Sequence, residues 1–380
     1  MKPLRVMTRD FQLITEISLF ESLQLTRSWH GIGELQLKIN RYLPGANELT
    51  RGRILFPGGQ LHKGYVIRHR SIELDKNGKQ SENWSIVALP LKSWLLQRIT
   101  EPPNGVGYDI IKSNTEDVMK HYVNTNTINP LDTRRIFPNL LLAATESRGN
   151  ILEWSSRYKI LSEELTEISK LTGLGWNIHI DVTQLKYIFD VKLGKNLTVN
   201  QNELPPAIFS PKFNSVGKLS YTECDLNYRN AAIVAGQGEG VERRILKVGE
   251  SEGFDRHELF VDARDVEEVI DDVPVPVQDI VDRLMNRGQQ KLAEQQHEFY
   301  LEGQTLQKSP LEYEIDYDLG DIVTLQNVEW GVTLDTRITE VKEIFERDGR
   351  KIELIFGNRQ PTLVDKIKQG FSVFKPEMTR

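Results

Sequence analysis

The sequence predicts a mainly β fold with α+β insertions, and three observations carry that prediction. Residues ahead of the first proline cluster alternate apolar and polar with period two. The middle of the chain shifts to a helical period. Three strand-like runs, Tyr317–Leu325, Thr336–Val341 and Ile352–Gly357, lie near the C-terminus. At 380 residues the chain exceeds one ordinary core, and a prior of about 150 residues per domain gives two or three domains.

Taken in order, Leu35, Leu37 and Ile39 alternate with Gln36, Lys38 and Asn40, and Trp84, Ile86 and Ala88 alternate with Ser85 and Val87, as half-buried strands do. Between two such runs sits Asp75-Lys-Asn77-Gly78, whose Asn-Gly pair accepts the positive φ of a type I′ hairpin turn. Residues 1 to about 90 therefore read as a first β-domain, closed by a short apolar helix near Leu91–Ile99. Proline clusters at Glu101–Gly105, Leu204–Pro206 and Val273–Pro276 interrupt backbone hydrogen bonding and mark boundaries. A helix starts at the Asn114-Thr115-Glu-Asp117 cap and continues through Met119 and Val123. From Arg157 to Thr172, Tyr158, Leu161, Leu165, Ile168 and Leu171 recur at steps of three and four, and Gly173 suits the C′ position. Trp176–Ile180 and Tyr187–Val191 read as strands, and a third helix spans about Val277–Glu298 with Val281, Leu284, Gly288 and Leu292 on one side. In the last segment Ile352, Leu354 and Phe356 alternate with Glu353 and Ile355, and Asp348-Gly349 supplies a tight turn, so the run reads as a small antiparallel barrel or sheet ending at Gly357.

Composition limits the function classes. Hydrophobic residues at 39% and charged residues at 27% are ordinary for a globular chain. A net charge of -6, from 54 acids against 48 bases, argues against a protein that coats duplexes, whose phosphate contacts need a clustered basic surface. The lone Cys224 has no partner for an intrachain disulfide. No run approaches the ~18 apolar residues that span a bilayer, and no apolar stretch follows the N-terminal Met1-Lys-Pro-Leu-Arg5, so the expectation is a soluble chain synthesised in the cytoplasm. Asn83-Trp-Ser85 and Asn196-Leu-Thr198 match the glycosylation triplet, which needs a secretory context that is absent.

Motifs for chemistry fail one by one. Gly236-Gln-Gly238-Glu-Gly240 follows the apolar run Ala231–Ala235, where a dinucleotide fingerprint would sit, but the third glycine of that pattern would occupy the place of Val241. A turn that needs positive φ or close backbone approach is the better reading. The stretch Asp262–Asp272 holds Asp262, Asp265, Glu267, Glu268, Asp271 and Asp272 against Arg264, yet its spacing matches no cation loop, and a solvated or subunit-facing acidic surface is expected. Seven histidines include no His-Glu-x-x-His, and no Gly-x-Ser-x-Gly elbow occurs. The expectation is a protein without catalytic residues, cofactor or metal; paired carboxylates that meet only in the fold keep a hydrolase as the alternative.

An ordered set of blocks nevertheless carries a resemblance: Val118-Met-Lys-His-Tyr-Val123, Arg134-Arg-Ile136 with Pro138-Asn-Leu140, Gly149, Ile188-Phe-Asp190 with Gly194 and Thr198, Tyr228-Arg-Asn230, Gly236–Gly240 with Glu242-Arg243, Glu258–Arg264, the Gly320-Asp321-Ile-Val323 run, Arg337-Ile-Thr-Glu340 and the terminal Phe356-Gly357. Together they resemble the siphovirus tail-hub family often called Gp37-like, related to the N-terminal module of tail-associated lysins and to baseplate hubs of contractile tails. The resemblance implies a trimeric hub in which each subunit contributes two tube-like β-barrels, adapting a sixfold tail to a threefold tip around the genome-delivery channel. On this division residues 1–95 form the first barrel, 96–209 an α+β insertion, 210–245 with 300–358 the second barrel, 246–299 an acidic segment and helix, and 359–380 a C-terminal tail. Gly236, Gly238, Gly240, Gly320, Asp321 and Gly357 are the structural motif residues. The implied partners are two further copies of the chain, a distal tail ring protein, a tape-measure protein and receptor-binding or fibre proteins, with DNA passing through unread and the host envelope met by the assembled tip. Lytic or receptor-binding activity is expected on another polypeptide, because the chain stops about twenty residues after Gly357; the alternative is a cell-wall hydrolase of a tail tip.

Overall fold

Alternation of apolar and polar side chains drives the first ninety residues into antiparallel strands, as the computed structural model describes for residues 3–74, 78, 81–266, 268–270, 273–295, 298–306, 309–346 and 349–357. The chain forms two compact units: a larger one from residues up to 165, 174–221 and from 300 onward, and a smaller one from 166–173 and 222–299.

In the larger unit the first strands are β1 (Leu4–Met7), β2 (Leu13–Ile17), β3 (Ser22–Ser28), β4 (Gly33–Asn40), β5 (Ile54–Pro57), β6 (Tyr65–Ser71) and β7 (Asn83–Pro90). They pair antiparallel in the order β3-β4-β7-β6-β5-β1-β2. On β4 the alternation is literal: Leu35, Leu37 and Ile39 are buried while Gln36 and Lys38 face solvent. They join Leu4, Val6, Leu23, Leu25, Tyr65, Ile67, Ile86 and Ala88 in one core. Each such apolar side chain stabilises by about 1.5–3 kcal/mol when fully buried, against roughly 1–2 kcal/mol per residue for ordering the backbone.

The sheet does not stop at the first β-domain. Beyond β3 it continues through Val332–Glu346, Gly349–Gly357, Glu298–Gln304 and Lys218–Cys224. Val332–Glu346 is 15 residues long, far above the usual five or six, because it serves two neighbourhoods. Its first part pairs with Ile322–Asn327, and its later part pairs with β3 from Glu340 to Phe345. The neighbour changes at an irregularity between Ile338 and Glu340, where a bulge bends and twists a strand. The strand thus feeds two cores: Phe345 packs against the first, while Ile338 and Val341 belong to a second with Phe209, Tyr317, Val323, Leu325, Leu354 and Phe356.

The local signals are met with some differences. The turn expected at Asp75–Asn77 and the residue Asp348 lie outside the described residues, although β6 and β7 do pair antiparallel around the first and Gly349 has φ 120. The apolar helix after β7 is a 3-10 helix over Leu91–Gln97. Asn114 caps Thr115–Val123, its side chain accepting the Asp117 N–H at 3.0 Å. The helix expected from Arg157 begins at Leu161, because Ile160 bridges Ile99 and the Tyr158 N–H is held by the Thr100 carbonyl at 2.7 Å. Tyr158 continues the helical spacing in sequence but takes φ 51. The two expected strands, Gly175–Asp181 and Lys186–Lys192, pair as an antiparallel hairpin, with Leu140–Leu142 added in parallel.

In the smaller unit Ala231–Ala235 sits between Ile245–Val248 and Glu258–Asp262. The second barrel expected from the sequence drew on 210–245; of that range Lys218–Cys224 joins the large sheet, whereas Ala231–Ala235 builds this separate one. Small side chains on the central strand let the helix Val277–Ala293 lie close, with Ile280, Leu284, Gly288 and Leu292 buried at steps of four. A Cβ on Gly288 would stand 2.7 Å from Val234, so the pairing of glycine and valine fixes the approach.

Candidate functional site

The most concentrated chemistry in the larger unit is a buried ionic seam. Arg27 comes from β3, Lys63 from the loop before β6, Glu314 and Asp318 from the connection ahead of Ile322–Asn327, Glu343 from the long strand, and Arg350 from the strand after it. Lys63 is 1% exposed and Glu343 2%, and the two are ion-paired. Lys63 also reaches Glu314 at 2.9 Å, and Arg350 closes on Glu343 at 2.7 Å. Arg27 lies 3.0 Å from Asp318 and 3.5 Å from Glu314. Three cations therefore face three carboxylates, the condition under which buried charge is tolerated, since an unpaired ion would cost several kcal/mol in desolvation.

Glu314 is the hinge of this arrangement. Its φ is 68, a left-handed backbone uncommon outside glycine. Gln60 Nε2 donates to its carboxylate at 2.7 Å and His62 Nε2 stands at 2.9 Å. Burial alone would raise its pKa; hydrogen bonds from His62 and Lys63 and the Lys63 charge outweigh burial and hold it at about 2, below the ordinary 4.5. A depressed carboxylate contributes stability that is complete above its unfolded pKa and lost as pH falls through the folded one. Unfolding free energy should thus decline between pH 4.5 and about 2, and Glu314→Gln should flatten that stretch by on the order of 2 kcal/mol. Urea titrations across this range give the comparison; parallel slopes in both proteins would contradict the assignment.

A second joint is steric. Gly320 has φ +95, and a Cβ there would fall 2.2 Å from the Trp29 ring; a Cβ on Gly175 would meet the same ring at 2.5 Å. Arg337 lies over the ring at 5.7 Å and donates to the Gly320 carbonyl. Asp321 is buried, its two oxygens accepting the Lys195 and Asp318 N–H groups at 2.8 Å each. Burial raises its carboxyl above the usual range despite those bonds. Gly357 has φ 70 at the last described position, and its carbonyl accepts from the Thr339 hydroxyl.

The glycine-rich run lies in the smaller unit. Gly238 and Gly240 take φ 98 and 54, while Gly236 packs against Leu284. The run leads from Ala231–Ala235 into another strand, Ile245–Val248. A phosphate cradle needs a helix N-terminus at that point. Here Arg243 fills the turn instead, donating to the Ala235 and Gly236 carbonyls at 2.9 and 2.8 Å.

The acidic stretch is also answered locally. Arg243 pairs with Asp262, Arg287 with Asp265 at 2.6 Å, and Arg244 with Glu268 at 3.1 Å. Three arginines distant in sequence convert an acidic run into a mixed surface, which counting charges along the chain could not show. Glu267, Asp271 and Asp272 lie outside the described residues, as does His297.

Among the described residues no group of three or more His, Cys, Asp or Glu is arranged to hold a metal. His121 is bonded to Asp109 at 2.8 Å, and Cys224 is half-buried. Among the described residues no helix is long and apolar enough to cross a membrane. The seam itself escaped sequence reasoning because Lys63 and Glu343 are 280 positions apart, and each alone reads as a surface charge.

Comparison with known proteins agrees with this architecture. The profile of a family described as Siphovirus ReqiPepy6 Gp37-like protein matches residues 3–358. No curated protein matches the sequence. Among solved structures, the prophage MuSo2 43 kDa tail protein from Shewanella oneidensis is similar at 10% identity and a TM-score of 0.57, covering 94% of this chain and 98% of its own. The tail protein from Neisseria meningitidis MC58 is similar at 12% identity and 0.57, covering 94% and 96%. Prophage tail protein gp18 from Listeria monocytogenes EGD-e is similar at 12% identity and 0.52, covering 98% and 100%. At such identities the likeness speaks for the fold.

Proposed function

Because the chain belongs to the siphovirus ReqiPepy6 Gp37-like protein family, a family of phage tail proteins, we propose that it is the structural hub of a tail tip, three copies forming a ring around the channel through which the genome leaves. The observation that carries this reading is the pair of hydrophobic cores joined by one strand, Val332–Glu346, within a single unit. Two β-lobes per chain become six around a threefold axis, which suits a threefold tip below a sixfold tail. The first lobe comprises residues 1–95 and the second is completed by 300–358, joined by Leu197, Ala207 and Phe209 from the end of the 96–209 segment. The outer side of β2 has no strand partner among the described residues, and Leu13 on it is 55% exposed. Such an edge invites pairing unless assembly covers it.

The role is structural, with partners above and below the ring: a distal tail ring protein, a tape-measure protein, and receptor-binding or fibre proteins. DNA crosses the channel without sequence recognition, and the assembled tip meets the host envelope. Imaging of the particle should place three copies at the tip; a two-fold or solitary copy would remove this reading. Purified chain should also leave peptidoglycan intact, and clearing of a zymogram by this chain alone would favour a cell-wall hydrolase instead.

A further inference from the structure

One end of the first core is capped by cations and aromatic rings. Trp84 opposes Ile39 and lies two positions from Ile86, so its indole shares the core-facing side of β7 and packs at the margin of that core. Arg70 opposes Ile86 from β6, and its guanidinium stacks 3.7 Å from the indole centroid. Arg41, just past β4, stands 5.9 Å from the same indole and 5.4 Å from the Tyr42 ring. Tyr42 is 73% exposed, and its N–H is held by the Asn40 side chain at 2.9 Å.

Neither guanidinium makes an ion pair with any described residue. Arg70 has only a long contact of 3.5 Å to the Asn47 carbonyl. Its Nε and the Trp84 Nε1 are buried without an acceptor among the described residues. Burial and then the nearby Arg41 charge lower the Arg70 pKa, as two uncompensated cations require. Arg27, Arg243, Arg244, Arg287 and Arg350 meet carboxylates, and Arg98 and Arg337, which also lie over rings, donate to backbone carbonyls, Arg98 at 2.9 Å.

We propose that Arg41, Tyr42, Arg70 and Trp84 form a docking site for an acidic segment of a partner protein, whose carboxylates the two guanidiniums receive. Stacking on the indole fixes the Arg70 plane, and Arg41 over the same ring adds a second guanidinium with which a carboxylate can pair. Trp, Tyr and Arg are the residues that dominate binding at protein interfaces. A nucleic acid fits less well. It needs a track of cations, whereas this spot is two cations wide on a chain of net charge -6. That the partner is a tail component rests on the proposed function; the carboxylate chemistry does not.

The test uses the full chain and a dye-labelled hexaglutamate peptide at low ionic strength, read by fluorescence anisotropy. Saturable binding is expected, weakened about tenfold or more in Arg41→Gln/Arg70→Gln and about threefold in the exposed Tyr42→Ala. Arg134→Gln, which removes a guanidinium paired with Asp132, should leave it unchanged. Arg70→Lys keeps the charge and loses the fork, so it should bind several-fold more weakly, and this variant serves if the double one does not fold. Absence of saturable binding, or affinity unchanged from the native chain in both Arg70→Lys and Tyr42→Ala, would overturn the proposal. Tighter capture of a hexathymidylate competitor at the same residues would overturn the peptide in favour of nucleic acid. None of these readouts involves the particle, so their failure leaves the tail assignment standing.

Discussion

Gly320→Val is expected to unfold the larger unit under conditions in which the native chain is stable. Two costs coincide at this position. A side chain at φ +95 is strained by about 1–3 kcal/mol, and a Cβ 2.2 Å from the Trp29 ring must displace an indole that is itself 5% exposed. Trp29 has little room to yield, since its backbone N–H is bonded to the Thr339 carbonyl at 2.8 Å and Gly175 also packs closely against the ring. Overpacking typically adds about 1–3 kcal/mol and more where backbone must move. The sum approaches the about 5–15 kcal/mol that holds a domain together. Gly357→Val meets the backbone cost, at φ 70, and should lose about 1–3 kcal/mol. Denaturant midpoints of both variants decide the matter: a silent Gly320→Val would show that the close approach to Trp29 is not part of the native state.

Lys63→Met carries the second large effect, about 3–5 kcal/mol. It leaves Glu343 at 2% exposure, with Arg350 as its remaining cation. Removing both partners of the pair should be milder than removing one, because the cost lies in the orphaned ion. Lys63→Met/Glu343→Leu should therefore recover much of the loss, with Arg350, 40% exposed, turning to solvent. Chemical denaturation of the two single variants and the double one closes the cycle. Additive losses would show that Lys63 and Glu343 are not coupled.

Much of the fold was legible along the chain. Leu35, Leu37 and Ile39 announced β4, Asn114 announced a helix start, and Gly173 the end of another, because each signal is carried by residues within a turn or a pleat of one another. Tyr158 shows the limit: its spacing fits the helix that follows, but the pairing of Ile160 with Ile99 pulls its backbone away. The glycine run reads as a turn because its register fails as a phosphate cradle, and Gly238 and Gly240 take positive φ. The acidic stretch was read as bare charge because Arg243, Arg244 and Arg287 are far from it in sequence.

Local chemistry in the chain settles most of the strand and helix segments, and shows no recognisable catalytic motif, since these depend on propensity and periodicity over a few residues. The ordered blocks from Val118 to Gly357 also suffice to identify the family. Only tertiary structure decides that one strand serves two cores, that Ala231–Ala235 leaves the large sheet, and that Lys63, Glu314 and Glu343 form a buried seam. Those outcomes depend on contacts between residues hundreds of positions apart, whose desolvation cost and mutual attraction exist only once the intervening chain has folded and excluded water.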